Sequence, residues 1–335
     1  MKYFRRNIIY TKCPLKGAFK YCDRFILQPI NKTNIPYSPY AKHYPVFLDF
    51  CFEDVDGLDE FYLIQKDIDL SRKYCHILTA LSNFEFFTYD SAATIWGIAA
   101  PSVLYDEMTL EEKGAYEESA KKSKWIFVPC YKYPEYAQER IINSLSILDG
   151  NDDIVFDNNP SYFTENPIQE EKEQVVFQKG IIDALDTYFI LDDEAREKVD
   201  SAIVLISDGI RLGLRHQSLG FVSFISSIET MIDLENKGLK VEHCKTCGQP
   251  IYGVNKKFLN YLSKYVSRAQ VSINKFKRLY TLRSKIAHSG KLFLNDKEFS
   301  LLNKETTDKE WYTYLEAQQL ARLSLFRWLL LNKNR

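Results

Sequence analysis

Apolar and polar positions change their spacing near the middle of the chain. Up to about residue 150 they come in short runs rich in β-branched and aromatic residues: YFRRNIIY, DRFILQPI, YPVFLDFCF, EFFTY and WIFVPCYKY. Runs of this kind predict strands. Between them the pattern admits helices over Ile68 to Leu81, after Thr109, and over Ala137 to Leu148. The second has a local start signal, because Thr109 and Glu112 form a capping box ahead of EEKGAYEESAKK. Beyond residue 168 apolar residues recur every three or four positions, the period of amphipathic helices. The expected helices cover Gln169 to Leu191, a stretch capped by Asp192 or Asp193 that runs to Leu214, Ser218 to Leu234, Lys256 to Arg268, Val271 to His288, and Asp308 to Leu331.

Residues 149 to 167, DGNDDIVFDNNPSYFTENP, break both patterns. Asp, Asn, Gly and Pro favour turns over extended elements. The expected organisation is therefore α+β: a strand-rich mixed domain over 1–150, a linker over 151–167, and an all-α domain over 168–335. A length of 335 residues suits two domains.

Composition adds little to that frame. The hydrophobic share of 45% and charged share of 27% are those of an ordinary globular protein. The N-terminus has no apolar run of signal-peptide length, and no apolar run is long enough to span a bilayer, so a cytoplasmic protein is expected. Seven scattered cysteines fit a reducing compartment, where no disulfide is expected. Phe and Tyr, 22 of each, concentrate in the first half, where strand packing is their simplest use. His43 and His76 are isolated and read as histidines satisfied by a neighbour.

Charge changes the picture more. The whole chain has net charge -1, yet between Glu242 and Asp296 there is no acidic residue. Residues 243 to 295 carry eleven Lys or Arg, with Tyr261, Tyr265, Phe276 and Tyr280 among them. A one-signed patch with interleaved aromatics suits a phosphate backbone. Residues 169 to 200 are acidic by contrast, either as a solvated helix face or as a neutralising partner for the basic stretch.

Within the basic stretch, KFKRLYTLRSKIAHSGK, Arg283 and His288 are five residues apart. On a regular helix that places them roughly 140° apart. Three arrangements can join them: Arg283 wraps on its long stem, the helix loosens near His288, or each meets its counterpart from a second chain. Gly290 suits a helix stop just past the histidine. The R-x4-H spacing also occurs from Arg211 to His216, so His216 is the alternative histidine. Upstream, HCKTCGQP places Cys244 and Cys247 in a C-x-x-C turn shaped like half a zinc ribbon. A closed zinc site needs two further ligands, from a second copy or a distant residue. The alternative is no metal at all.

LYTLRSKIAHSGK resembles the signature of the Apea-like HEPN domains, which end a helix in a similar R-S-K-I-x-H-x-G string. The match lies at Arg283, Ser284, Lys285, Ile286, His288 and Gly290. FVSFISSIETMIDL and AQQLARLSLFRWLLLN are similar to two further helices of that family, so the resemblance spans roughly residues 170 to 335. Several other branches carry Asn, Asp or His after the arginine, where this chain has Ser284. The resemblance implies an all-α, dimeric, metal-independent ribonuclease with Arg283 and His288 as the active pair, and a role in anti-phage defence or toxin-like growth arrest. The first half would then hold a sensor, or the site of a regulatory partner or ligand.

On chemistry alone, imidazole can move a proton to or from the 2′-OH near neutral pH, and a guanidinium can hold the charge of a phosphorane. Arg278, Ser284, Lys285 and Lys291 are the candidate RNA contacts. No cofactor is required for such a reaction, and a zinc at Cys244 and Cys247 would be structural. Two other classes compete: a non-catalytic HEPN-like dimer that binds nucleic acid or a protein partner, and a zinc-knuckle regulatory protein.

Overall fold

The computed structural model describes residues 1–30, 43–55, 57, 59–88, 107–123, 141–164, 172–213, 215–238, 253–297 and 303–333. The fold is α+β, an N-terminal antiparallel sheet followed by a helical C-terminal region. The chain divides into two compact units. The first holds residues 1–78, 84–156 and 168–177, and the second holds 79–83, 157–167 and 178–335.

In the first unit the strands are β1 (Lys2–Thr11), β2 (Phe19–Tyr21), β3 (Phe25–Pro29), β4 (Tyr44–Glu53) and β5 (Phe86–Phe87). They form one sheet in the order β2-β3-β4-β1-β5. The frame is the β1–β4 pair, in register from Lys2 opposite Glu53 to Thr11 opposite Tyr44. The aromatic residues are packing, as expected: Phe19, Phe25, Phe50 and Phe86 are fully buried. The sheet also buries polar groups, each with its partners. Arg6 grips Asp49 through two hydrogen bonds of 2.7 Å, and Gln28 adds a third of 2.7 Å. Helix α1 (Glu60–Ala80) meets the sheet through Asn7, whose amide donates to Asp67 and Ser71. Helix α2 (Leu110–Ser123) begins at the anticipated box, with Thr109 N and Oγ1 both 2.8 Å from Glu112 Oε2.

Two expectations for local structure are corrected. Residues 141–148 are not helical. Gln28 takes their backbone groups instead, its amide accepting from Leu148 N at 2.8 Å and donating to Ser146 O at 3.3 Å. The chain from 172 to 180 is not helical either, so the expected first helix starts only at Ile181. Val175 N bonds to Pro14 O at 2.8 Å, and Phe177 packs on Phe19. Within the expected linker, Ile154, Tyr162 and Phe163 are buried.

The second unit is built from α3 (Ile181–Ile190), α4 (Asp193–Gly213), α5 (Gln217–Glu235), α6 (Val254–Tyr265), α7 (Gln270–Ser289) and α8 (Lys304–Leu331). Asp192 caps α4, its carboxylate accepting from Ala195 N at 2.8 Å. Helix α8 starts four residues before the expected Asp308, because the Glu305–Lys309 pair and Thr307 extend the first turn. It then runs 28 residues as the spine of the unit. Its Trp328 is fully buried and donates to Glu235 at the end of α5. Its Arg327 ties down the end of α6 through the carbonyls of Tyr265 and Val266.

Glycines set how closely α4 and α5 approach. A Cβ on Gly220 would stand 2.5 Å from Gly209 O and 2.8 Å from the Tyr314 ring. Tyr314 cannot retreat freely, since its hydroxyl donates to Gly209 O at 3.1 Å. Gly220→Ala should therefore destabilise the protein, although alanine is the better helix former by about 1 kcal/mol. Overpacking against backbone costs about 1–3 kcal/mol and decides the sign. Urea denaturation would show it as a lower midpoint at unchanged slope, and a raised midpoint would refute the close approach.

Candidate active site

Helix α7 carries the site, and its sequence explains its shape. Phe276, Leu279 and Ile286 are buried on one stripe. At about 100° per residue, Lys277, Arg278, Thr281, Ser284, Lys285 and His288 fall within about 120° of one another on the opposite side. Of these six only Ser284 is partly buried. The helix stops where expected: Gly290 is left-handed, at φ 63° and ψ 21°, a conformation that glycine adopts without a Cβ penalty. Lys291 then closes its amide on Lys285 O.

Past this stop the chain is fixed to the start of α5. Phe293 N donates to Ser218 Oγ at 2.7 Å, and the Phe293 ring packs on Phe221. Asp296 accepts from Gln217 N and Ser218 N at 2.7 and 2.8 Å. A carboxylate there satisfies two open amides and meets the positive end of the helix dipole. The end of α7 and the start of α5 are thereby held together.

Farther along the same pair of helices lies Glu229 of α5. It is the only charged residue between His216 and Asp233. Arg283 Nη2 meets Glu229 Oε2 at 2.7 Å, with the two side chains 21% and 20% exposed. Arg283 Nη1 lies 3.3 Å from His288 Nε2. Of the three anticipated arrangements the first therefore holds: the helix stays regular, and the arginine stem spans the 140° gap. For Nη1 to donate, the neutral imidazole must carry its proton on Nδ1. Arg283 Nε has no hydrogen-bond partner among the described residues.

Tyr280 completes the group. It lies within reach of the Glu229 charge, and its ring is 4.8 Å from that of Phe258 on α6. Burial pushes the phenol up, and the Glu229 charge pushes it further. The phenol therefore stays protonated through neutral pH. Glu229 accepts from Arg283 Nη2, and that bond fixes the direction in which the Arg283 fork points.

The other expected residues separate clearly. Arg278, Lys285 and Lys291 are exposed, on or just past α7. His216 is exposed at the N-cap position of α5 and makes no capping bond, while Arg211 ends α4. That second R-x4-H spacing is split by a turn between helices. Cys244 and Cys247 lie outside the described residues. Among the described residues no group of His, Cys, Asp or Glu could hold a metal ion. The acidic stretch does not neutralise α7 among the described residues, since its Asp183 and Glu194 pair with Lys333 and Lys237. A separate open cleft of about 680 Å³, lined by Phe163, Val266, Tyr312 and Leu320, includes neither Arg283 nor His288.

Glu229 and Tyr280 were not anticipated as site residues. A lone carboxylate in a largely buried stretch of α5 without other charge, between His216 and Asp233, was the available signal, since such a group needs a partner. No protein-family model, curated protein or solved structure matches this chain. Among the described residues no helix is long and apolar enough to cross a membrane.

Glu229→Gln should let Tyr280 ionise closer to the ordinary value of about 10, while burial keeps it above that value. NMR of tyrosine labelled at Cζ would follow the titration, with Tyr280→Phe identifying the signal. An unmoved midpoint would mean that the Glu229 charge does not act on the phenol.

Proposed function

We propose that this chain is a metal-independent endoribonuclease of the HEPN type. One observation carries the reading: an arginine already fixed by a carboxylate stands 3.3 Å from an exposed histidine nitrogen, on a helix without acidic residues. The likeness of LRSKIAHSG to the family signature supports it.

The step needs only RNA and two proton carriers. The 2′-oxygen attacks the adjacent phosphorus, its bond to phosphorus forms, and the bond to the 5′-oxygen breaks. His288 takes the 2′-OH proton, and a second acid delivers one to the leaving 5′-oxygen. The products are a 2′,3′-cyclic phosphate and a 5′-hydroxyl end. Arg283 makes the order of events chemically sensible. While Nη1 donates to Nε2, the imidazole lone pair is occupied. An arriving phosphate competes for Nη1 and frees the nitrogen that must act as base. The guanidinium then lies against the oxygens where charge grows, the position in which a preset donor contributes most. One histidine per chain supplies one proton transfer, and a homodimer with two α7 helices would supply the other. The metal-free step makes no use of Cys244 and Cys247.

Cleavage of cellular RNA in EDTA tests the proposal. Wild type should cut and leave cyclic phosphate ends. His288→Ala should lose about 10²–10⁴-fold, the usual contribution of a general acid or base. Arg283→Ala should lose about 10²–10³-fold, as for removal of a charge-stabilising donor. Equal cutting by wild type and His288→Ala would overturn the assignment of the base. RNA binding without cutting by wild type would favour the non-catalytic binding module.

A further inference from the structure

The cations of α6 and α7 fall into two sets. Between Gly253 and Asn295 there are ten Lys or Arg and no Asp or Glu. Three of the ten pair with carboxylates on the helices behind them: Lys264 with Glu235 of α5, Arg283 with Glu229 of α5, and Lys275 with Glu316 of α8. These three fasten the hairpin to the rest of its unit. The other seven meet no carboxylate among the described residues, and all seven are exposed. Lys256, Lys257 and Arg268 belong to α6 and the turn after it. Lys277, Arg278, Lys285 and Lys291 belong to α7 and its end.

A ring contact joins the helices that carry the two groups. Phe258 of α6 touches Tyr280 of α7, so α6 flanks the Tyr280 edge of that helix. From Tyr280 the helical rotation leads in steps of about 40° to Ser284 and then to His288. Lys257 precedes Phe258 in the first turn of α6. A strand that crosses His288 toward α6 therefore passes Ser284 and Tyr280 before it reaches Lys256 and Lys257.

We propose that α6 and α7 form one acid-free track for an RNA backbone, in which Lys256 and Lys257 hold phosphates of the strand that passes His288. The track rests on the ribonuclease reading for the place of cutting, but its binding can be measured without any cutting. Such contacts read charge and not sequence, so binding should be salt-steep and similar for different sequences.

The full chain carrying His288→Ala leaves the RNA intact and serves as the binding protein. Fluorescence anisotropy with an end-labelled, single-stranded RNA of mixed sequence gives affinity across a salt series. Adding Lys256→Glu and Lys257→Glu should weaken binding about tenfold or more and reduce the salt slope by about 1.4, the value for two single-strand phosphate contacts. A control reverses Lys198 and Lys304, which are exposed and lie outside the hairpin, for the same change in net charge. The control should bind within about twofold of its parent, because salt screens an exposed charge that makes no contact with the strand. Equal weakening in the control, an unchanged slope in the α6 variant, or no RNA binding by the parent would each overturn the track. Cleavage by wild type with an unaffected α6 variant would leave the ribonuclease reading standing alone. Salt-steep binding lost in the α6 variant, with no cleavage by wild type, would leave the track standing alone.

Discussion

The ion pair between Glu229 and Arg283 is the constraint on which the site depends. Helix α7 and the hairpin that contains it offer no carboxylate of their own, so a cation turned inward must find one on another helix. Glu229 is placed to answer it, alone in a stretch of α5 otherwise without charge. A hydrogen bond to a charged group contributes about 1.5–3 kcal/mol, and residual exposure of both side chains puts this pair toward the low end. Its importance lies more in direction than in energy. With Nη2 committed to Glu229, the planar guanidinium has little freedom left, and Nη1 is set toward His288. A lysine could satisfy Glu229 but not both positions, because an ammonium is a point charge and not a fork.

That pair works only if α5 and α7 hold their mutual register, and several contacts fix it. At one end Asp296 and Ser218 join the chain after α7 to the first turn of α5. At the other, Glu235 at the end of α5 holds Trp328 of α8 and Lys264 of α6. Burial works against the Glu235 charge, but the bonds from Lys264 and Trp328 outweigh it and keep the carboxyl below its ordinary range. Gly220, under the Tyr314 ring, sets the distance from α5 to α4. The Glu229–Arg283 pair lies between these fixed points.

Features written in a few neighbouring residues were legible in the sequence. The Thr109–Glu112 box, the Asp192 cap and the Gly290 stop each involve residues a turn apart, and all three hold in the fold. The first four strand runs were legible because aromatic and β-branched residues pack a sheet wherever it lies, while the fifth, WIFVPCYKY, lies outside the described residues. Features decided by distant partners were not. Residues 141–148 carry a helical pattern, but Gln28, more than a hundred residues away, bonds their backbone. Residues 172–180 continue the helical pattern of α3, yet Val175 N is taken by Pro14 O and the Phe177 ring packs on Phe19. The candidate site divides the same way. Arg283, His288 and the basic face were legible from one helix. Glu229 lies 54 residues from its arginine; its uncharged surroundings show that it needs a partner but not which one.

Such a division has a chemical consequence. A cation paired to a carboxylate has already exchanged water for protein and is held in place. A solvated lysine has not, and can exchange its counterions for phosphate at small cost. Glu229 converts one member of a uniformly basic helix from a diffuse attractor into an oriented donor, while Lys277, Arg278 and Lys285 remain solvated around it. A fixed donor and solvated cations are thus different residues of one surface. The only change needed to make that distinction is a single carboxylate on the helix behind. Within α7, sequence position alone does not separate Arg283 from Arg278. Their surroundings do, since one faces a carboxylate across the helix pair and the other faces water.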